Sequence, residues 1–161
     1  MIGIRKARPE DTDAIWRIIQ SVISTGDTYV FDPASSKEKM LAFWFASDRH
    51  TYVAEVDGRI QGTFLLKANQ PDLGSHVANA AYMTLPGASG KGVGRAMCEF
   101  SLEEARRLGF LAMQFNIVIK SNTRAVRLWQ QMGFAIIGEI PDAFRHRTEG
   151  LTNAYIMYRK L

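Results

Sequence analysis

The chain contains a single cysteine, Cys98, among its 161 residues. One thiol cannot close an internal disulfide, and it supplies no cysteine cluster for a metal ion. No apolar run approaches the ~20 residues that a bilayer-spanning helix needs, and residues 1–16 lack the apolar stretch and cleavage site of a signal peptide. These absences predict a cytoplasmic protein that has no membrane association and binds no metal.

Clustered basic residues are also scarce, although the net charge is +4 and the isoelectric point is about 9.4. The tightest group of cations is Arg-His-Arg at 145–147. Common nucleic-acid-binding domains show zinc-ligand spacing or a basic helical stripe, and this sequence has neither. It therefore predicts no nucleic-acid partner and favours an anionic small molecule as the ligand.

The overall composition is that of an ordinary globular protein, with 47% hydrophobic and 22% charged residues. A length of 161 residues fits one domain with a substantial core. No repeat, low-complexity segment or linker divides the chain. We expect a single domain over residues 1–161.

The hydrophobic periodicity switches between strand and helix patterns in the order βααβββαβαββ. Asp57-Gly58 is a hairpin signal, and Gly109 lies where the C-terminal cap of a helix belongs. This order predicts an α+β fold around a mostly antiparallel sheet. The predicted helices cover residues 9–22, 35–46, 92–108 and 122–132, and the predicted strands cover 2–7, 51–56, 60–68, 76–85, 110–119, 134–140 and 153–161.

A glycine-rich segment, Ser-Gly-Lys-Gly-Val-Gly at 89–94, joins the strand at 76–85 to the helix at 92–108. It lacks the spacing of a Walker A loop and of the dinucleotide-binding fingerprint. A glycine-rich turn that opens a helix still presents free N–H groups and a positive helix end to an anion such as a pyrophosphate. Lys91 and Arg95 add positive charge. The alternative is a turn that binds no ligand.

A second motif, Asn-Thr-Arg-Ala-Val-Arg-Leu-Trp-Gln-Gln-Met-Gly-Phe, occupies residues 122–134. The two motifs resemble R/Q-x-x-G-x-G/A and N-x-x-A-x-x-L-Y-x-x-x-G-F of the GCN5-related N-acetyltransferase superfamily. Residues 89–94 match the first, with Ser89 in place of Arg or Gln. The order of helices and strands agrees as well. The second motif is matched at Asn122, Ala125, Leu128, Gly133 and Phe134.

The resemblance implies a sheet that is splayed between its central strands, with acetyl-CoA bound there as the co-substrate. It implies direct acetyl transfer to an amine, with a backbone N–H near Met83 polarising the thioester carbonyl. It also implies a homodimer, for which the apolar final strand at 153–161 would offer an edge. By this resemblance, acetyl-CoA contacts Met83, Leu85, Ser89, Gly90, Lys91, Gly92, Val93, Gly94, Arg95, Asn122, Ala125 and Trp129.

Besides Ser89, the chain departs from the family pattern in two further ways. Trp129 stands where the usual tyrosine acts as an acid, and an indole cannot supply a proton near pH 7. We expect Trp129 to form a wall of the CoA channel, the alternative being a packing residue. The strand at 76–85 contains no Asp or Glu to act as the usual base, so proton removal is expected to run through water. Glu55, on a different strand, is the alternative base.

Asparagines mark the predicted reaction site, as in the yeast branch of the superfamily that acetylates the proline analogue azetidine-2-carboxylate. That resemblance implies that Asn79 holds the acceptor and that Asn116 orients it or steadies the oxyanion, while Asn122 contacts CoA. Asn116 lies in an apolar run, 110–119, so the alternative is a hydrogen-bonded core amide. The side chains expected to bind the acceptor are Asn79, Tyr82, Tyr29 and Phe31.

The expected function is acetyl transfer from acetyl-CoA to the amine of a small, amino-acid-like molecule or a toxic analogue of one. Three alternatives stay open: acetylation of a protein N-terminus or lysine, acetylation of an antibiotic or herbicide-like compound, and acyl-CoA sensing without catalysis. The aromatic residues on the acceptor side favour a small acceptor, because a protein acceptor would favour an open acidic groove.

Overall fold

Seven strands and four helices make up the computed structural model, which describes residues 1–161. The strands are β1 (Ile2–Lys6), β2 (His50–Val56), β3 (Arg59–Ala68), β4 (Val77–Thr84), β5 (Ala112–Ile119), β6 (Ala135–His146) and β7 (Gly150–Lys160); the helices are α1 (Thr12–Ile23), α2 (Lys37–Trp44), α3 (Val93–Arg107) and α4 (Thr123–Gln131). The strands form one sheet in the order β1-β2-β3-β4-β5-β7-β6. None of the helices has both the length and the apolar composition that crossing a membrane requires.

The element order confirms the α+β prediction, and the hairpin at Asp57-Gly58 joins β2 to β3. The largest difference lies in the C-terminal hairpin, where β6 and β7 are both longer than predicted. Their pairing slips between Ile140 and Phe144, and Asp142 there has a positive φ of 51°. This bulge interrupts the alternation of apolar and polar side chains. The sequence pattern therefore predicted a strand that stops at residue 140, about halfway along β6.

The final strand, β7, lies between β5 and β6 and is not an edge of the sheet. This position corrects the expectation that residues 153–161 offer an edge for dimerisation. The two edges are β1 and β6. Exposed apolar side chains do lie on the β6–β7 hairpin, at Ile136, Ile137 and Leu151.

The sheet carries a separate core on each face. Helices α1 and α2 cover one face, where helices and strands together form a core of nine buried residues. The helices contribute four isoleucines of α1 at helical spacing and Met40 and Trp44 of α2. A core of 19 buried residues lies on the other face, under α3 and α4. Successive side chains of a strand point to opposite faces, so β4 directs Ala80 and Tyr82 toward α3 and Met83 toward α1.

The central strands β4 and β5 are parallel and pair only at their beginnings, through Val77 with Ala112 and Ala78 with Met113. All other neighbouring strands are antiparallel. Beyond the two parallel pairs the strands diverge, and the second half of β4 has no strand on that side. The loop after β4 leads into the N-terminus of α3, so the gap and the predicted anion-binding turn lie at the same end of the sheet.

A buried chain of hydrogen bonds ties α2 to the sheet. The indole Nε1 of Trp44 donates to Thr63 Oγ1 at 2.9 Å, and the Thr63 hydroxyl donates to the Tyr52 carbonyl at 2.8 Å. Trp44 and Thr63 are both fully buried. The indole N–H therefore depends on the Thr63 hydroxyl as its acceptor.

We predict that Thr63→Val lowers the free energy of unfolding by about 1–3 kcal/mol, because the buried indole N–H of Trp44 is left without an acceptor. Urea denaturation measures the change. Thr63→Ser keeps the hydroxyl and is the control, so it should retain more stability than Thr63→Val. A Thr63→Val protein as stable as the wild type would show that this bond does not hold α2.

Candidate active site

The gap between β4 and β5 opens into a cleft of about 820 Å³. Its walls are the second halves of β4 and β5, the glycine loop at 88–94 and helix α4. Most of the residues predicted to contact acetyl-CoA line this cleft. They are Met83, Ser89, Gly90, Gly92, Gly94, Arg95, Asn122, Ala125 and Trp129.

Three of the predicted acetyl-CoA contacts do not line the cleft. Val93 is buried under the first turn of α3, Leu85 is half-buried between the two cores, and Lys91 is exposed on the glycine loop. Their side chains therefore support or flank the loop in this structure, while the backbone of the loop forms its inner surface.

The glycine loop leaves five backbone N–H groups without an acceptor at the start of α3. Gly90 and Gly92 have φ values of 80° and 82°, which glycine adopts without strain. Gly92 is also the N-cap of α3, and it has no side chain with which to satisfy the first turn. Unpaired N–H groups at the N-terminus of a 15-residue helix favour an anion. The five groups belong to Gly90, Gly92, Val93, Gly94 and Arg95.

A guanidinium from α4 reaches the same loop. Arg124 Nη1 donates to Ser89 Oγ at 2.6 Å, and a Cβ added at Gly90 would lie 3.0 Å from Arg124 Nη2. The family motif usually has an Arg or Gln at the position of Ser89, so Arg124 brings a cation to this loop from another element. The sequence pattern did not single out Arg124. The available signal was its place two residues after the motif residue Asn122.

Helix α4 forms the wall that carries the second motif. Asn122 caps its N-terminus, with Oδ1 accepting from Ala125 N at 3.3 Å. Trp129 is half-buried, and its ring centroid lies 5.0 Å from that of Tyr82 and 4.9 Å from that of Phe115. Trp129 is therefore a packing residue and a part of the cleft wall at the same time.

The free edge of β4 presents the backbone of Tyr82 to the gap. Alternate residues of an antiparallel strand direct both backbone groups to one neighbour. Leu85 N donates to Gln61 O of β3, so Met83, two residues earlier, also faces β3. Tyr82 faces the gap, where its N–H donates to the Tyr29 hydroxyl at 3.2 Å and its carbonyl accepts from that hydroxyl. The N–H groups near Met83 that face the gap are thus those of Tyr82 and, by the same alternation, Thr84, which also lines the cleft.

The side chain of Tyr82 points into the core beneath α3. Its hydroxyl lies 2.6 Å from Ser101 Oγ, and its ring stacks on Phe64. Burial raises the pKa of Tyr82 well above its ordinary value. The hydroxyl is therefore protonated and held in the core, so any contact of Tyr82 with an acceptor involves its ring or its backbone.

Tyr29 lies between the cleft and a second cavity of about 480 Å³, and it lines both. Burial raises the pKa of its hydroxyl to about 12. Phe31, from the same loop between α1 and α2, stacks on Tyr29 with ring centroids 6.2 Å apart. The structure therefore places these two predicted acceptor-binding residues side by side. The other lining residues are Ser24, Gly26, Val30, Asp32, Pro33, Ala143, Phe144, Arg145 and Arg147.

Asn79 and Asn116 lie where β4 and β5 separate, and neither lines the cleft or the second cavity. Asn79 Nδ2 donates to the Gln114 carbonyl at 2.9 Å and so bridges the two strands beyond their last backbone pair. Gln114 Nε2 donates to Asn116 Oδ1 at 3.1 Å, and Asn116 Nδ2 donates to Asn69 Oδ1 at 2.7 Å. Asn116 is exposed, so the alternative of a core amide is wrong.

Carboxylates are absent from the lining of the cleft. Glu55, the alternative base, lies on β2, two strands away from β4 in the sheet. Its carboxylate is held by Arg5 at 2.6 Å. The cleft therefore offers amide, hydroxyl, indole and guanidinium groups, and a proton leaving an acceptor would pass to water.

Comparison with protein families gives a match to the Acetyltransferase (GNAT) family over residues 16–134. The match extends from within α1 to just beyond α4, and it includes both motifs and the gap between β4 and β5. It therefore covers the whole cleft.

Comparison with individual proteins agrees with this match. A GCN5-related N-acetyltransferase from Kribbella flavida is 39% identical, with a TM-score of 0.93 over 99% of this chain and 98% of that chain. A phosphinothricin acetyltransferase from Sinorhizobium meliloti, solved in complex with acetyl-CoA, has a TM-score of 0.88 over 99% and 88% of the two chains, and at 19% identity it shows the shared fold. N-acetyltransferase aca1 of Schizosaccharomyces pombe is 29% identical over 94% of this chain and 80% of that protein.

Proposed function

Because this chain belongs to the acetyltransferase (GNAT) family, we propose that it transfers an acetyl group from acetyl-CoA to the amine of a small, amino-acid-like molecule. One observation carries the proposal: an anion-binding helix start lies at the end of a sheet gap whose edge exposes the Tyr82 amide. The similar fold from Sinorhizobium meliloti was solved with acetyl-CoA, and its name specifies phosphinothricin, a small acceptor. The pattern of three asparagines supports an acceptor of the proline-analogue type.

The residues of the cleft fit the parts of acetyl-CoA. The free N–H groups of the glycine loop and the Arg124 guanidinium suit a pyrophosphate, since both donate to anionic oxygen. The half-buried ring of Trp129 suits the uncharged arm that follows. When bound, acetyl-CoA supplies an acetyl group activated as a thioester.

The backbone of β4 supplies the electrostatic help for transfer. The Tyr82 N–H can donate to the carbonyl oxygen that gains negative charge, provided that the Tyr29 hydroxyl gives up this amide. The amine nitrogen forms the new bond to the acetyl carbon, the C–S bond breaks, and sulfur leaves with the electron pair. The proton lost from nitrogen passes to water, because no carboxylate lines the cleft. Holding the two reactants together contributes much of the rate.

Asn79 and Asn116, which lie where β4 and β5 separate, are proposed to contact the acceptor. Asn79 has its Nδ2 committed to the Gln114 carbonyl, which leaves Oδ1 to accept from an ammonium or amine. Asn116 is exposed and held by Gln114 and Asn69, so its amide is oriented without being buried. An oriented and accessible amide suits the roles proposed for Asn116, which are to position the acceptor or to stabilise the oxyanion.

We predict that acetyl-CoA raises the melting temperature, because a ligand that binds the folded state stabilises it. Arg124→Ser should weaken acetyl-CoA binding about tenfold, the value of one charge-assisted hydrogen bond. Isothermal titration calorimetry measures the affinity. Ser89→Arg in the Arg124→Ser background returns a guanidinium to the loop and should recover binding, whereas Arg59→Ser, at an exposed site outside the cleft, should leave it unchanged. Absence of any shift with millimolar acetyl-CoA would refute the choice of co-substrate.

We predict that Asn116→Ala changes the free energy of unfolding by less than about 0.5 kcal/mol, because the side chain is exposed. The same change should lower kcat/KM about tenfold, as expected when one transition-state hydrogen bond is lost. Thiol release from acetyl-CoA, measured with a panel of amino acids, reports the turnover. Gln20→Ala, an exposed amide on α1, is the control. Unchanged kcat/KM in Asn116→Ala would remove Asn116 from the reaction.

We also propose a homodimer formed through the exposed edge strand β6, because an uncovered edge with apolar side chains favours pairing. Light scattering at micromolar concentration should give twice the chain mass of 18.1 kDa. Ile137→Lys should shift the protein to monomer, whereas Leu73→Lys, at an exposed site between β3 and β4, should not. A wild-type protein of single-chain mass would be incompatible with this assembly.

A further inference from the structure

The second cavity combines an aromatic interior with two free cations. It lies between the loop that joins α1 to α2 and the end of β6. Phe144 is buried beside it, and Phe31 is fixed by an edge-to-face contact with Phe43 at 5.0 Å between ring centroids. Arg145 and Arg147, whose side chains are exposed, also line the cavity. The cavity thus combines aromatic walls with two cations.

The two arginines of this cavity have no internal partner. Neither forms a salt bridge, and neither guanidinium donates a hydrogen bond within the chain, although other arginines such as Arg5 and Arg107 are held by carboxylates. The lining contains one carboxylate, Asp32, whose Oδ1 already accepts from the Ala34 N–H at 2.8 Å. The cavity therefore carries an excess of unpaired positive charge.

The backbone fixes the position of these cations relative to the loop. Arg147 N donates to the Gly26 carbonyl at 3.1 Å, so the end of β6 is docked on the loop after α1. This bond uses the backbone of Arg147 and leaves its guanidinium free. Both walls of the cavity are therefore held together without the arginine side chains.

We infer that this cavity receives the acceptor and that the acceptor carries a carboxylate, which Arg145 and Arg147 bind. The inference rests on the proposed acetyl transfer. A guanidinium matches the two oxygens of a carboxylate through paired N–H donors, and the aromatic walls suit the apolar remainder of an amino acid. Tyr29 lines both this cavity and the cleft, and its hydroxyl is hydrogen-bonded to the Tyr82 backbone. An acceptor anchored at the arginines therefore directs its amine past Tyr29 to the gap.

The test compares amino acids with their amides, which keep the amine and lose the carboxylate. Thiol release from acetyl-CoA is measured for L-proline, L-leucine and L-phenylalanine and for the three corresponding amides. Wild type should prefer the best acid over its amide by at least about tenfold in kcat/KM, the value of one charge-assisted contact. The double variant Arg145→Gln/Arg147→Gln should lose this preference, because KM rises far more for the acid than for the amide.

Each control addresses one other explanation. Because the same acid–amide pair is compared in wild type and variant, the different amine pKa values of acid and amide cancel. Arg59→Gln removes an exposed cation outside both cavities and should keep the preference. Arg145→Lys keeps the positive charge but lacks the paired N–H donors, so it should retain only part of the preference for the acid. Melting temperatures of all variants should equal that of the wild type, since neither arginine side chain holds the fold.

Direct binding separates this inference from the proposed transfer. Calorimetric titration with the three acids should show binding to the wild type that is lost in the double variant. Such binding without thiol release from any amine would support the carboxylate site and refute small-amine acetylation. Amides acetylated as fast as acids, a preference that survives in the double variant, or acids that do not bind the wild type at millimolar concentration would each overturn the carboxylate site.

Discussion

The early divergence of β4 and β5 is the constraint on which the rest of the structure depends. Two matched residue pairs hold these parallel strands together, and beyond them the backbone of β4 must find other partners or face a cavity. Side chains supply those partners: Asn79 reaches the Gln114 carbonyl, and Tyr29 reaches both backbone groups of Tyr82. At this point an amide and a long aromatic side chain from the neighbouring loop therefore satisfy backbone groups that a continuous sheet would pair.

The divergence also divides the work between the two faces of the sheet. On the α3 face, the glycine loop and α4 supply N–H groups and guanidinium for an anionic ligand. On the other side, the loop after α1 and the end of β6 supply aromatic side chains and free cations. Tyr29 lies where the two regions meet.

The features that could be predicted from the sequence are those with local signals. Glycines at 90 and 92 are needed because the backbone there has positive φ, and Asn122 is both motif residue and helix cap, so a short stretch of sequence contains the whole reason for each. The Arg124–Ser89 contact joins residues 35 positions apart, and Tyr29 meets Tyr82 across 53 positions. No pattern within one segment contains these pairings. The bulge near Asp142 interrupts the alternation of apolar and polar side chains, which is the local pattern that predicts a strand. The second half of β6 therefore could not be predicted from its own sequence.

The double hydrogen bond of Tyr29 has a consequence for product release in the proposed reaction. In the free protein the Tyr82 N–H is already satisfied, so a thioester carbonyl exchanges one hydrogen bond for another and contributes little net affinity. Most of the affinity then comes from the nucleotide end, which acetyl-CoA and CoA share. An enzyme with this arrangement binds the product CoA almost as tightly as it binds acetyl-CoA. Its turnover in a cell would follow the ratio of acetyl-CoA to CoA more closely than the concentration of either.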